Sequence, residues 1–252
     1  MIAPFLDDHA TRAGERYVNF LLSLRSVLNA SLKVNVRDAR VFNDIRAGAA
    51  EVADTFIDGE LDHLEGALNN ARRIAVERAR REMLTGAPAK EVELQDYAEE
   101  LFRWFEDELR AQVARDTNVL VQKRRELAIA ATTNSWGRGR SVDLAFANLI
   151  AQGREKVDFY FTDRSGRRYP SQKFYRQLVR HALLTYATET FVLEASSMGA
   201  ETVFIDHPEK NNSYAGTRLT LVGDPNMLSL ADVQDEAFHP NSIAFITTID
   251  PA

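Results

Sequence analysis

Apolar residues recur at three- and four-residue spacing through roughly the first half of the chain and then give way to alternation. Tyr97, Leu101, Phe105, Leu109 and Val113 follow one another strictly at i+4. Only a helix places such positions on one face, so the spacing predicts long amphipathic helices folded against a common core. Ala10, Ala13, Tyr17, Leu21, Leu24 and Leu28 carry the same pattern, after Asp7 and Asp8 as capping carboxylates. A third stretch runs from about Asp38 to Leu84, with Val41, Ile45, Val52, Phe56, Leu64 and Leu68 on one stripe. Gly48, Gly59 and Gly66 fall inside it and predict a break or kink. Thr85-Gly86-Ala87-Pro88 ends it, so the two flanking helices are expected to fold back as an antiparallel pair.

Thr132 to Arg140 reads as a loop by composition, and the domain boundary is expected there: a long-helix domain over 1–135 and an α+β domain over 136–252. A short helix should follow Ser141, carrying Val142, Phe146 and Ile150 and ending at Gly153. Val157, Phe159 and Phe161 alternate with Asp158, Tyr160 and Thr162, as in a half-buried strand, and Asp163-Arg164-Ser165-Gly166 is a turn. Ser171 is placed to cap a helix to about Met198, closed by Gly199. Short strands are expected at Thr202–Asp206, Arg218–Val222 and Ile243–Ile249. The fold class is therefore α+β, a mainly helical first half followed by a small domain with a short mixed sheet.

Composition limits the chemistry. At 45% hydrophobic and 27% charged, 252 residues suffice for a substantial core. The absence of cysteine removes disulfides, thiolate metal sites and cysteine nucleophiles. A net charge of −6 argues against bulk attraction to nucleic acid, leaving only a local basic face. No run reaches the ~18 apolar residues of a membrane span, and the first residues lack the pattern of a secretory signal. A soluble, cytoplasmic protein is the expectation.

The common nucleotide, hydrolase and metalloprotease signatures are missing. Gly137-Arg138-Gly139-Arg140-Ser141 has phosphate-cradle composition without the strand or glycine spacing, and reads better as a linker. Glu91-Val92-Glu93 is a solvated first helical turn rather than a catalytic pair. His9 and His63 occupy polar helical positions, and His181 lies mid-helix. His207 and His239 stand in loops near Asp206, Asp224 and Asp235, a set that could hold a metal but is more simply explained by loop-locking hydrogen bonds. Arg72, Arg73, Arg78, Arg80 and Arg81, and later Lys123 to Arg125, read as solvated helix faces. Arg164, Arg167, Arg168, Lys173, Arg176 and Arg180 are different: 17 residues without a carboxylate, with Tyr169 and Tyr175 among them. They suit either phosphates and an acidic partner surface or internal ion pairs.

In order, Asp163-Arg164-Ser165-Gly166-Arg167-Arg168-Tyr169, Arg180, Met198 to Ile205, His207, Ala215 to Gly223 around Gly216, and Phe238-His239-Pro240-Asn241-Ser242 resemble the motifs of the minor capsid (head morphogenesis) proteins of tailed bacteriophages. The resemblance spans about residues 136–246. It departs where the family commonly places cysteine: Ser242 stands there, and Asn211-Asn212-Ser213 fill the other loop. The resemblance implies a structural protein rather than an enzyme, without cofactor or metal. Its partners would be the portal protein or the major capsid protein, with packaged DNA as a further contact of Arg164, Arg167, Arg168, Lys173 and Arg176. It would be present in a few copies per virion at the head or portal vertex, after assembly in the host cytoplasm. The alternatives are a head–tail connector, and a metal-dependent hydrolase or nuclease built on His207 and His239.

Overall fold

The computed structural model describes residues 2–83, 95–136, 139, 141–209, 211–239 and 242–251. The expected breaker at Thr85–Pro88, the Glu91-Val92-Glu93 turn, Gly137, Arg138, Arg140, Pro240, Asn241 and the Asp235 side chain lie outside the described residues. The elements are α1 (Ile2–Ser31), α2 (Val41–Met83), α3 (Gln95–Trp136), α4 (Val142–Ala151), β1 (Tyr160–Thr162), β2 (Arg168–Pro170), α5 (Ser171–Ser197), β3 (Thr202–Asp206), β4 (Arg218–Thr220), α6 (Leu230–Ala237) and β5 (Phe245–Thr247). The protein is thus mostly helical, with long N-terminal helices and a small C-terminal sheet.

The chain forms two compact units that do not divide at residue 135. One, the hairpin unit, comprises Ala13–Leu61 and Glu106–Tyr175; the other, the sheet unit, comprises Met1–Arg12, Asp62–Phe105 and Arg176–Ala252. Helices α1, α2, α3 and α5 each contribute residues to both.

Several helical expectations need correction. α1 begins at Ile2, so Asp7 and Asp8 lie inside the helix rather than capping it. Asp8 instead pairs with Arg12 one turn on, at 3.1 Å. α2 runs unbroken past Gly48, Gly59 and Gly66. At Gly48 an added Cβ would stand 3.3 Å from Val27 Cγ1, so this glycine serves close helix packing, not a kink. α3 continues through Thr132–Trp136, where a loop was expected. There the Thr132 hydroxyl donates to the Ala128 carbonyl (2.9 Å) and Ser135 to that of Thr132 (2.7 Å), while Ala131 and Ser135 are buried. Hydroxyl residues that read as loop formers are here bonded back onto the helix.

In the hairpin unit, Tyr17 and Phe20 of α1, Phe56 of α2 and Tyr175 form one aromatic cluster, with ring centroids 4.5–5.8 Å apart. A second core gathers Val36, Leu127, Ala131, Val142, Ala145 and Phe146. Ser141 caps α4 by accepting from the Leu144 amide at 3.2 Å.

In the sheet unit the strand order is β4-β3-β5, antiparallel throughout. The expected mixed sheet is therefore corrected; among the described residues parallel pairing is confined to an isolated Leu219–Leu228 bridge. β3 and β4 are consecutive strands with no helix among the described residues between them, so they pair as an antiparallel hairpin rather than across a helical crossover. Val203 and Ile205 point inward, and Leu184, Ala187 and Phe191 of α5 share a small cleft with Ile246 of β5 and Ala75 of α2. Two elements escaped the sequence pattern: β2, only three residues long, and α6, whose start is fixed by Asp232 accepting from the Ser229 amide and hydroxyl, each at 2.7 Å.

Glu82 of α2 holds β5 in place. Its Oε2 accepts from Thr247 Oγ1 (2.9 Å), the Thr248 amide (2.9 Å) and Thr248 Oγ1 (3.2 Å), and its Oε1 from Arg78 Nε (2.7 Å). Glu82→Ala strands these donors at once. Thermal denaturation should show a loss of about 2–3 kcal/mol, the scale of hydrogen bonds to a charged acceptor. An unchanged midpoint would mean water replaces the carboxylate without cost.

Candidate functional site

The hairpin β1–β2 explains why Asp163, Gly166 and Arg167 stand together. Asp163 Oδ1 accepts from the Ser165 amide (2.9 Å), the Ser165 hydroxyl (2.7 Å) and the Arg167 amide (2.9 Å). The Gly166 amide donates to the Asp163 carbonyl at 3.0 Å, and Gly166 sits at φ +81°, where a side chain would be strained. The Ser165 hydroxyl first, then the Arg167 and Ser165 amides and the Arg167 charge, hold the Asp163 carboxyl below its usual range. Arg167 is spent on this turn, through Ser165 Oγ at 3.0 Å and Asp163 at 3.7 Å.

The strand register pairs Phe161 with Tyr169 and Thr162 with Arg168. Phe161 stacks on Phe174 of α5, with centroids 4.0 Å apart, and Arg115 of α3 lies 5.2 Å from its centroid. Tyr160, Thr162, Arg168 and Pro170 lie on the opposite, exposed face. The Arg168 guanidinium stacks 4.3 Å from the Tyr160 centroid, and Lys173 Nζ lies 6.0 Å from that of Tyr169. Arg25 of α1 donates to the Val157 carbonyl (3.1 Å) and reaches over Phe159. Among the described residues, no carboxylate lies in ion-pair range of Arg164, Arg168, Lys173 or Arg176. Arg176 is exposed and belongs to the sheet unit. Arg180 is used internally, donating to Asp7 at 2.9 Å and to the Ser242 carbonyl at 2.5 Å. The basic run therefore divides: Arg167 and Arg180 build structure, and the other four present charge.

His207 is buried, with Nδ1 3.0 Å from the Glu209 amide nitrogen and 3.1 Å from the Glu209 carbonyl oxygen, so the ring is fixed to its own loop. Gly216, at φ +74°, donates its amide to the Ile205 carbonyl at 2.9 Å and anchors a turn beside β3. His239 is exposed, and Asp224 accepts from the Asn226 amide at 2.8 Å. Among the described residues no three His, Asp or Glu side chains gather as a metal site would need.

A second polar group, unanticipated from sequence, lies inside the hairpin unit. Asp116 is fully buried; its Oδ2 accepts from Tyr17 (2.7 Å) and its Oδ1 from Ser171 (2.8 Å), whose hydroxyl accepts from Gln112 (3.0 Å). Ser171, expected to cap α5, thus turns its hydroxyl inward. Glu60 accepts from Tyr175 (2.6 Å) and from both Nε and Nη2 of Arg16. Burial, which outweighs all the hydrogen bonds, raises the Asp116 pKa, and burial first also pushes those of Tyr17 and Tyr175 well up. No local signal marks this group, because its hydrogen-bonded pairs are separated by 44 to 115 residues.

Comparison with known proteins adds no relative: no protein-family model, no curated protein and no solved structure matches the chain.

Proposed function

We propose that the chain is a structural minor head protein of a tailed bacteriophage or prophage, associated with the portal vertex or inner capsid surface and assisting head assembly. The observation that carries this reading is the ordered run of motif segments from Asp163 to Ser242. The local geometry of that run supports treating it as architecture. Asp163 and Gly166 form a turn, Arg180 ties α5 to the Ser242 segment, His207 braces its loop and Gly216 turns the chain beside β3. In this reading the motif residues preserve a scaffold, and the surfaces around them meet the portal or capsid proteins.

Co-expression with the portal and major capsid proteins encoded beside it tests the proposal. A stable complex with the portal protein, together with the chain in purified virions at a few copies per particle, is the expected result. Binding to neither protein and absence from virions would refute it. Within such a complex, Arg180→Ala should weaken the fold rather than the interface, since its donors face Asp7 and Ser242.

A further inference from the structure

Beside the hairpin, α1 and the strands enclose an open groove of about 510 Å3 within the hairpin unit. Its walls carry Arg25, Phe159, Tyr160, Arg168 and Tyr169, with Asp158 as the one carboxylate among the lining residues. The volume is that of a small-ligand site, where ~300–1,000 Å3 is usual. The Arg168 guanidinium lies over the Tyr160 ring, 4.3 Å from its centroid, and no carboxylate among the described residues lies in ion-pair range of it. Tyr160 is 38% exposed, and Arg168 covers one face of its ring. Lys173 follows on the first turns of α5, which has no acidic residue in its first turn. A cationic groove walled by aromatic rings suits a chain that carries both phosphates and flat bases.

We propose that this groove binds single-stranded nucleic acid, with Arg25, Arg168 and Lys173 on the phosphates and a base stacked against the Tyr160–Arg168 pair. The inference goes beyond the head-protein reading and does not depend on it. A concave site of this volume admits one or two nucleotides of a flexible strand. The backbone of a duplex would touch its rim and leave the rings unused. An acidic peptide would satisfy the cations but gain nothing from exposed ring and guanidinium faces.

Fluorescence anisotropy of the full chain with a labelled oligothymidylate, across a salt series, tests this. Three phosphate contacts give a log–log slope near −2, so affinity should fall about 20-fold between 50 and 200 mM salt. Tyr160→Leu should weaken binding about tenfold with little change in slope, by loss of stacking. Arg168→Ala should weaken it and lower the slope by about 0.7. Asp158→Asn, an exposed substitution that removes the opposing charge, should tighten binding. Arg73→Ala, an exposed charge of the sheet unit, should change nothing. Far-UV circular dichroism separates lost binding from lost folding. The proposal is overturned by absent binding, by a duplex binding as tightly as the single strand, by polyglutamate competing as well as the oligonucleotide, or by a folded Tyr160→Leu and Arg168→Ala pair that binds like the parent.

Discussion

Asp116→Ala should cost the protein about 3–5 kcal/mol, the largest loss expected of any single side chain described above. The carboxylate is fully buried and receives the hydroxyls of Tyr17 and Ser171 from two other helices. Alanine leaves both hydroxyls enclosed without their acceptor, and each such group costs about 1–3 kcal/mol. For a chain of this length the melting midpoint should fall by roughly 10 °C. Asp116→Asn should be much milder, because the amide keeps one acceptor and its NH2 can donate to the second hydroxyl. The two substitutions also differ with pH. Burial raises the folded-state pKa of Asp116 above the ordinary 3.8, despite the opposing bonds from Tyr17, Ser171 and Gln112 and the Arg115 charge. A raised pKa means the folded state holds the proton more tightly than the unfolded chain. The resulting stabilisation is complete below the unfolded pKa and is lost as pH rises through the folded one. Asparagine cannot titrate, so the stability gap between wild type and Asp116→Asn should widen on acidification from pH 7. Urea midpoints measured at several pH values would show it. A gap that is constant, or that narrows in acid, would mean the carboxylate ionises as readily in the core as in water.

That network also marks where the sequence stops being informative. The helices were legible because i, i+3 and i+4 apolar spacing reports burial directly, as with Leu101, Phe105 and Leu109, all buried in α3. The hairpin turn was legible because Asp163 and Gly166 act locally, through bonds two to four residues away. Composition misled wherever tertiary packing overrode it. Thr132–Trp136 looked like a loop and is helical, and Gly48 looked like a kink and is a close-packing position against Val27. Ser171 looked like a cap because serine before a helix usually is one; its hydroxyl instead bonds a carboxylate 55 residues earlier. The groove was half visible. Arg164, Arg168 and Lys173 stood out as a run without carboxylates, but Arg25 reaches Val157 from 132 residues away, a distance no local pattern can encode.

Arg124→Met should make the protein more stable, by about 1–3 kcal/mol, although it deletes a charge from the middle of α3. Arg124 is the largest fully buried side chain described, and its Nε and Nη1 have no hydrogen-bond partner. Among the described residues its one bond, Nη2 to the Val34 carbonyl, is long at 3.4 Å. Burial lowers its pKa, as expected of a cation held out of water with no counter-charge among the described residues. Taking an ion from water costs several kcal/mol even after relaxation. Against this stand the stacking on Phe146, at 4.4 Å and worth about 2 kcal/mol when desolvated, and a bond at the weak end of the range. The sum leaves a deficit. Methionine can fill the same elongated space over the Phe146 ring with no charge to desolvate. Arg124→Ala should not share the gain, since it removes the penalty but leaves a cavity. A melting midpoint several degrees higher for Arg124→Met, with Arg124→Ala near or below wild type, is the expected pattern. A loss of 3–5 kcal/mol in Arg124→Met would instead be the signature of a broken buried ion pair, and would require a counter-charge to reach this guanidinium in solution.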